Sequence, residues 1–180
     1  MSLIKYLTGY TLNDLLLEVA MDSINSMIEE LISLVDRKRQ LFDNIMEITL
    51  EQKKDIEENG ANNIEEHVNK KQVVIDSVDA IDKSFSELLN MVKKQLNINS
   101  LEEADLTKYP TLRNLKLKVE GIMELAKNIM KIEESNKEKL TSLMAALKQE
   151  MSRMSVGKKS IKAYEAPVFS NDGIYIDKKK

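Results

Sequence analysis

The chain has 180 residues with no cysteine, no tryptophan, five glycines and two prolines, and 32% of its side chains are charged, for a net charge of −3. This excludes disulfides, thiol catalysis and thiolate metal sites, and the scarcity of Gly and Pro points to an all-α chain, expected as an elongated antiparallel helical hairpin or coiled-coil-like bundle of three long helices. No run approaches the roughly 18 uncharged apolar residues of a membrane span.

Residues 1–10 lack helical periodicity and read as a leader. Lys5 and Asp14 interrupt the apolar stretch and Leu15-Leu16-Leu17 stops at Glu18, so no signal peptide is expected and the cytoplasm is the default compartment. Thr11 with Asp14 three residues on is a capping signal that opens a first helix over about 11–58. Its seam runs Leu17, Met21, Ile24, Ile28, Leu31, Val35, Lys38, Phe42, Ile45 and Thr49. Lys38 is expected to lay its stem along the seam and place its ammonium in water.

Glu57-Glu58-Asn59-Gly60-Ala61-Asn62-Asn63 is a helix stop and restart. Gly60 suits the left-handed conformation that follows a helix C-terminus, and Asn63 with Glu66 resembles a capping box. So short a connection makes the flanking helices antiparallel neighbours. The second helix, about 63–96, carries Ile64, Val68, Lys71, Ile75, Val78, Ile81, Phe85, Leu88, Val92 and Leu96. Ser100 with Glu103 predicts a further capping box and a short helix over 101–106, and Pro110 marks the first turn of a third helix. Leu12, Leu16 and Val19 are expected to lie past the end of the second helix, covered by Ile98, Leu101, Leu106 and Tyr109 of the 98–110 connector.

The third helix, about 111–156 with Gly157 as its cap, has the longest seam: Leu112, Leu115, Val119, Ile122, Ala126, Ile129, then Leu140, Leu143, Leu147 and Met154. Glu133, Asn136 and Glu150 interrupt it; buried polar groups at such positions set register at some cost in stability. At about 1.5 Å per residue, 63–96 spans roughly 50 Å and 111–156 roughly 70 Å. Pairing Thr111 with Leu96 leaves about Leu147–Val156 without a partner in the chain. Burying each of Leu147, Met151 and Met154 is worth about 1.5–3 kcal/mol. The expected cover is a partner protein; the alternatives are a dimer seam with a second copy of the chain and a frayed helix end. The chain's ten methionines suit a surface that adapts to a partner.

Residues 158–180 have no helical period and read as a flexible tail. Residues 152–180 hold Arg153, Lys158, Lys159, Lys162 and Lys178–Lys180 against Glu165, Asp172 and Asp177, a local charge of +4 that leaves −7 on the rest of the chain. An acidic body disfavours nucleic acid. The basic tail either steers toward an acidic protein or membrane surface or simply solubilises.

His67 is the only histidine. It is placed on the surface or the seam flank, with Ile64 where the Glu of a Glu-x-x-His di-iron motif would stand. No P-loop, dinucleotide-binding glycines or zinc spacing occurs. The chain therefore reads as non-enzymatic, with no cofactor, metal or small-molecule substrate.

Three segments carry a family resemblance: Glu57-Glu58-Asn59-Gly60 closing a long hairpin, Asn136-Lys137-Glu138-Lys139-Leu140 leading into an amphipathic helix, and a tail with Ala163-Tyr164 that closes as Asp172-Gly173-Ile174-Tyr175-Ile176-Asp177-Lys178-Lys179. With them the chain resembles the FlgN family of flagellar export chaperones, which escort hook-associated proteins to the type III export gate. The resemblance implies a C-terminal segment that grips a substrate's C-terminal region, here Leu140, Leu143, Met144, Leu147, Met151 and Met154. It also implies a tail tyrosine that docks on the gate, Tyr164 or alternatively Tyr175. The competing reading is a structural or self-associating coiled-coil protein, including a homodimer.

Overall fold

A computed structural model of the chain describes residues 11–165. Three α-helices carry the fold: α1, Leu12–Glu58; α2, Ile64–Leu96; and α3, Pro110–Glu165. One 3-10 turn, Leu101–Glu103, lies between α2 and α3, and the described residues contain no strand. The expected all-α helical bundle is the observed architecture. The chain divides into two compact units, residues 1–138 and 139–180. The expected leader, residues 1–10, and residues 166–180 with Tyr175 lie outside the described residues, as do the side chains of residues 157–165.

The first unit is built on ion pairs and hydrogen bonds that set helix register. Lys38 of α1 pairs with Asp82 of α2, and Gln52 of α1 accepts from Lys71 of α2 at 2.6 Å, so α1 and α2 are antiparallel. Lys118 of α3 meets Asp36 of α1 at 2.6 Å, and Glu133 meets Thr49, so α3 runs parallel to α1. Between these pairs the seams interdigitate. Ile24, Ile28, Leu31 and Val35 of α1 bury against Val92 of α2 and Leu112, Leu115 and Ile122 of α3. Ile45, Val78 and Ile129 form a second cluster further along. A cavity of about 120 Å³ lies between them, lined by Val35, Lys38, Phe85 and Val119 among others. Lys38 departs from expectation there. Its ammonium bonds Asp82 and sits 5.6 Å from the Phe42 ring, because an aspartate on α2 faces the interruption in the seam.

The helix ends follow local chemistry. Thr11 Oγ1 accepts from the Asp14 N–H while the Asp14 carboxylate accepts from the Thr11 N–H at 2.7 Å, the expected capping box. Gly60 is left-handed at φ 65°, and Ala61 follows it at φ 66°. These two residues turn the chain so tightly that Asn63 reaches back to α1: its N–H and side-chain amide donate to the Asp55 carboxylate at 2.9 and 3.0 Å. The Asn63–Glu66 capping box therefore does not form, and Glu66 bonds Lys70 instead, which holds its carboxyl below the usual range.

The connector also differs from expectation. Glu103 caps the N–H of Asn99 at 3.0 Å and Ser100 Oγ accepts from Glu102, which closes a single 3-10 turn instead of a helix over 101–106. Asp105 then organises the next turn by accepting from the hydroxyl and N–H of Thr107, which pulls its carboxyl below the usual range. Pro110 is the first residue of α3, where its missing N–H costs no helical bond. At the other end α3 does not stop at Gly157 but continues to Glu165. A glycine inside a helix costs only about 1 kcal/mol relative to Ala, and the Lys158, Lys159, Lys162 and Ala163 that follow favour helix.

Leu12, Leu16 and Val19 are not covered by the connector; all three are exposed. Register explains why. From Asp82 to the end of α2 at Leu96 is fourteen residues, and fourteen residues back from Lys38 lies Ile24, the first buried residue of α1. The same count on the Asp36–Lys118 pair sets the start of α3 level with Ile28. The connector residues Leu101, Ala104 and Tyr109 accordingly pack on the Ile24–Ile28 end of the core and leave the first three turns of α1 bare.

Candidate partner-binding surface

Where the α3 seam meets Glu133 and Asn136, the apolar core of the first unit gives way to a polar layer. Glu133 Oε1 accepts from Thr49 Oγ1 at 2.9 Å and from the Lys71 ammonium, which also bonds Gln52. The Asn136 side-chain amide donates to the Thr49 carbonyl at 3.1 Å. Thr49, Gln52 and Asn136 are all buried. Asp55 and His67 are buried as well, which rules out the surface for His67 and leaves the seam flank. Its Nδ1 lies 4.0 Å from a Glu51 carboxylate oxygen and makes no hydrogen bond. Glu133 and Asn136 were legible as interruptions of a seam. Their partners Thr49, Gln52 and Lys71 were not paired with them, although Thr49 and Lys71 stand at seam positions of their own helices.

The described residues of the second unit are all helix, the last part of α3. At about 100° per residue, Leu140, Leu143, Met144, Leu147, Met151 and Met154 fall within an arc of about 100° on one face. The structure therefore brings all six onto one stripe. They differ in burial. Leu140 and Leu143 are half-buried, whereas Met144, Leu147, Met151 and Met154 are 50–71% exposed. Val156 is exposed too. Lys148 and Glu150 flank the stripe. The stripe is flexible, polarizable and accessible, which suits capture of an apolar helix face.

Tyr164 belongs to the final turn of α3, not to a non-helical tail, and its side chain lies outside the described residues. Among the described residues no group of three or more His, Asp or Glu side chains could hold a metal ion. No helix there is long and apolar enough to cross a membrane.

The model of the FlgN protein family matches residues 21–167, from the third turn of α1 past the end of α3. The chain belongs to the FlgN family. The matched range takes in the polar layer, the whole Leu140–Met154 stripe and Tyr164, and it begins after the exposed first turns of α1. Comparison with curated proteins and with solved structures gives no match.

Proposed function

We propose that the protein is a non-enzymatic cytosolic chaperone of flagellar type III export that shields the C-terminal region of a hook-associated protein and delivers it to the export gate. The observation that carries this reading is the exposed stripe of Met144, Leu147, Met151 and Met154 inside a chain of the FlgN family. A client helix laid on the stripe removes apolar area from water at about 25 cal/mol per Å². Leu140 and Leu143 extend the contact toward the start of the unit. Because thioether side chains repack cheaply, one stripe can accept more than one client sequence. Tyr164 follows the stripe by about three turns and supplies the contact to the gate.

Hydrogen exchange on the complex tests the assignment. With a purified hook-associated protein bound, amides over 140–154 should become strongly protected while those of the 24–35 core stay unchanged. Protection confined to any other segment rejects the stripe as the client site. Concentration-dependent protection of the stripe without client instead favours the self-associating coiled-coil reading.

A further inference from the structure

We propose that the first turns of α1 form a second docking surface, one that takes a basic amphipathic helix of a partner protein. Leu12, Leu15, Leu16 and Val19 stand at i, i+3, i+4 and i+7, so they line one face, and they are 52–78% exposed. Leu17, on the core-facing side, is exposed as well. Apolar side chains on opposite faces of one helix are ordinarily covered by a packing partner. Neither α2 nor α3 does, since both end level with Ile24 to Ile28. The surface is also built in advance: α1 is continuous from Leu12 to Glu58, and the Thr11–Asp14 box fixes its first turn. A rigid helix face binds without paying to order itself.

Charge decides the occupant. Glu18 and Asp22, four residues apart, run along one edge of the apolar face, and the first basic residue of α1 is Arg37. Anionic membranes and nucleic acids are repelled by that edge. Two copies paired antiparallel through this face would set one acidic edge beside the other, which is destabilising. A helix with Leu-type residues on one face and Lys or Arg on its flank satisfies both the apolar stripe and the acidic edge. The apolar face, Leu12 to Val19, lies outside the residues matched by the family model, and the surface shares no residue with the Leu140–Met154 stripe.

The test uses the full chain and two fluorescent 18-residue amphipathic peptides with the same leucine face, one flanked by Lys and one by Glu. Fluorescence anisotropy should give at least tenfold tighter binding of the Lys-flanked peptide, weakening as salt rises to 0.5 M. Leu15→Asp with Leu16→Asp should lower that affinity at least tenfold, and Glu18→Lys with Asp22→Lys should reverse the peptide preference. Both variants should keep the parent melting temperature, because these side chains are outside the core. Met151→Asp with Met154→Asp should leave the peptide affinity unchanged, which separates this surface from the proposed client stripe. Equal binding of the two peptides, or binding indifferent to Leu15 and Leu16, overturns the proposal. So does a dimer in sedimentation that Leu15→Asp with Leu16→Asp dissolves, which assigns the face to a second copy. A gain in peptide affinity on removing residues 1–10 overturns it too, by assigning the face to the chain's own leader.

Discussion

The side-chain amide of Asn136 donates to the main-chain carbonyl of Thr49 at 3.1 Å, and both residues are buried. This bond ties α3 to α1 at one axial position. Its cost is visible in the Asn136 Oδ1, which has no partner. Replacing Asn136 by Leu removes an unsatisfied buried oxygen and adds apolar volume. The variant should match or exceed the parent in stability while losing definition of register. Urea unfolding should show an unchanged or higher midpoint. Crosslinking between α1 and α3 should report more than one register.

Lys71 is the charged partner of Glu133 in the same layer, and it is largely buried. Lys71→Met keeps the stem but leaves the partly buried Glu133 carboxylate without its cation. Discounted for the exposure of Glu133, the loss should be about 1–2 kcal/mol. The double variant Lys71→Met with Glu133→Leu should recover most of it. Equilibrium unfolding of the two variants separates the outcomes, and a failure to recover assigns Lys71 a role other than pairing.

Two glycines should respond to alanine with opposite sign. Gly60 sits at φ 65°, where a Cβ is strained, so Gly60→Ala should cost about 1 kcal/mol. Gly121 lies inside α3, and a Cβ there meets only the far end of Arg39, at 3.4 Å. Gly121→Ala should therefore stabilise by about 0.5–1 kcal/mol through helix propensity. Thermal melts of the two variants should shift in opposite directions.

Much of the fold was legible in the sequence because its signals are local and repeated. Heptad spacing located the three helices, and the Thr11–Asp14 box formed as written. The failures came where long-range geometry overrode a local signal. Asn63 had a better acceptor in Asp55, eight residues back, than in its own helix. For His67 the surface and the seam flank stayed open in the sequence, because the choice depends on how α2 meets α1. Gly157 carried a stop signal too weak to end a helix flanked by good helix formers. Leu12, Leu16 and Val19 were assigned a cover because the 98–110 connector is apolar, but only a register counted from Lys38–Asp82 reveals that it sits too far along α1 to reach them. The candidate stripe was legible as a seam, and the exposure of Leu147, Met151 and Met154 followed from helix lengths alone, because the third helix is longer than the second.

Thr11→Ala should fray the start of α1 by about 1 kcal/mol while leaving the global melting temperature unchanged, because the first buried residue of α1 is Ile24. Hydrogen exchange should show faster amides near 14–17 and parent rates over 24–35. A matching fall in global stability would mean that the first turns are part of the core after all.

Core and stripe should differ sharply under truncation. Leu115 is almost completely buried, and Leu115→Ala should cost about 2–5 kcal/mol. Met151 is exposed, and Met151→Ala should change stability by less than about 0.5 kcal/mol. Tyr164→Ala should likewise spare both stability and client affinity while weakening docking to the export gate. Parent affinity for the gate in that variant would remove Tyr164 from the docking site.

The central claim is that the exposed end of α3 grips a client, and calorimetric titration of the Met151→Asp, Met154→Asp protein with a hook-associated protein tests it most directly. Each side chain is worth about 1.5–3 kcal/mol when buried. The double variant should therefore bind on the order of a hundredfold or more weaker, with helicity and melting temperature equal to the parent's. Binding at parent strength would contradict the account, as would a melting temperature lowered by several degrees, since that would make these methionines part of a fold instead of a grip.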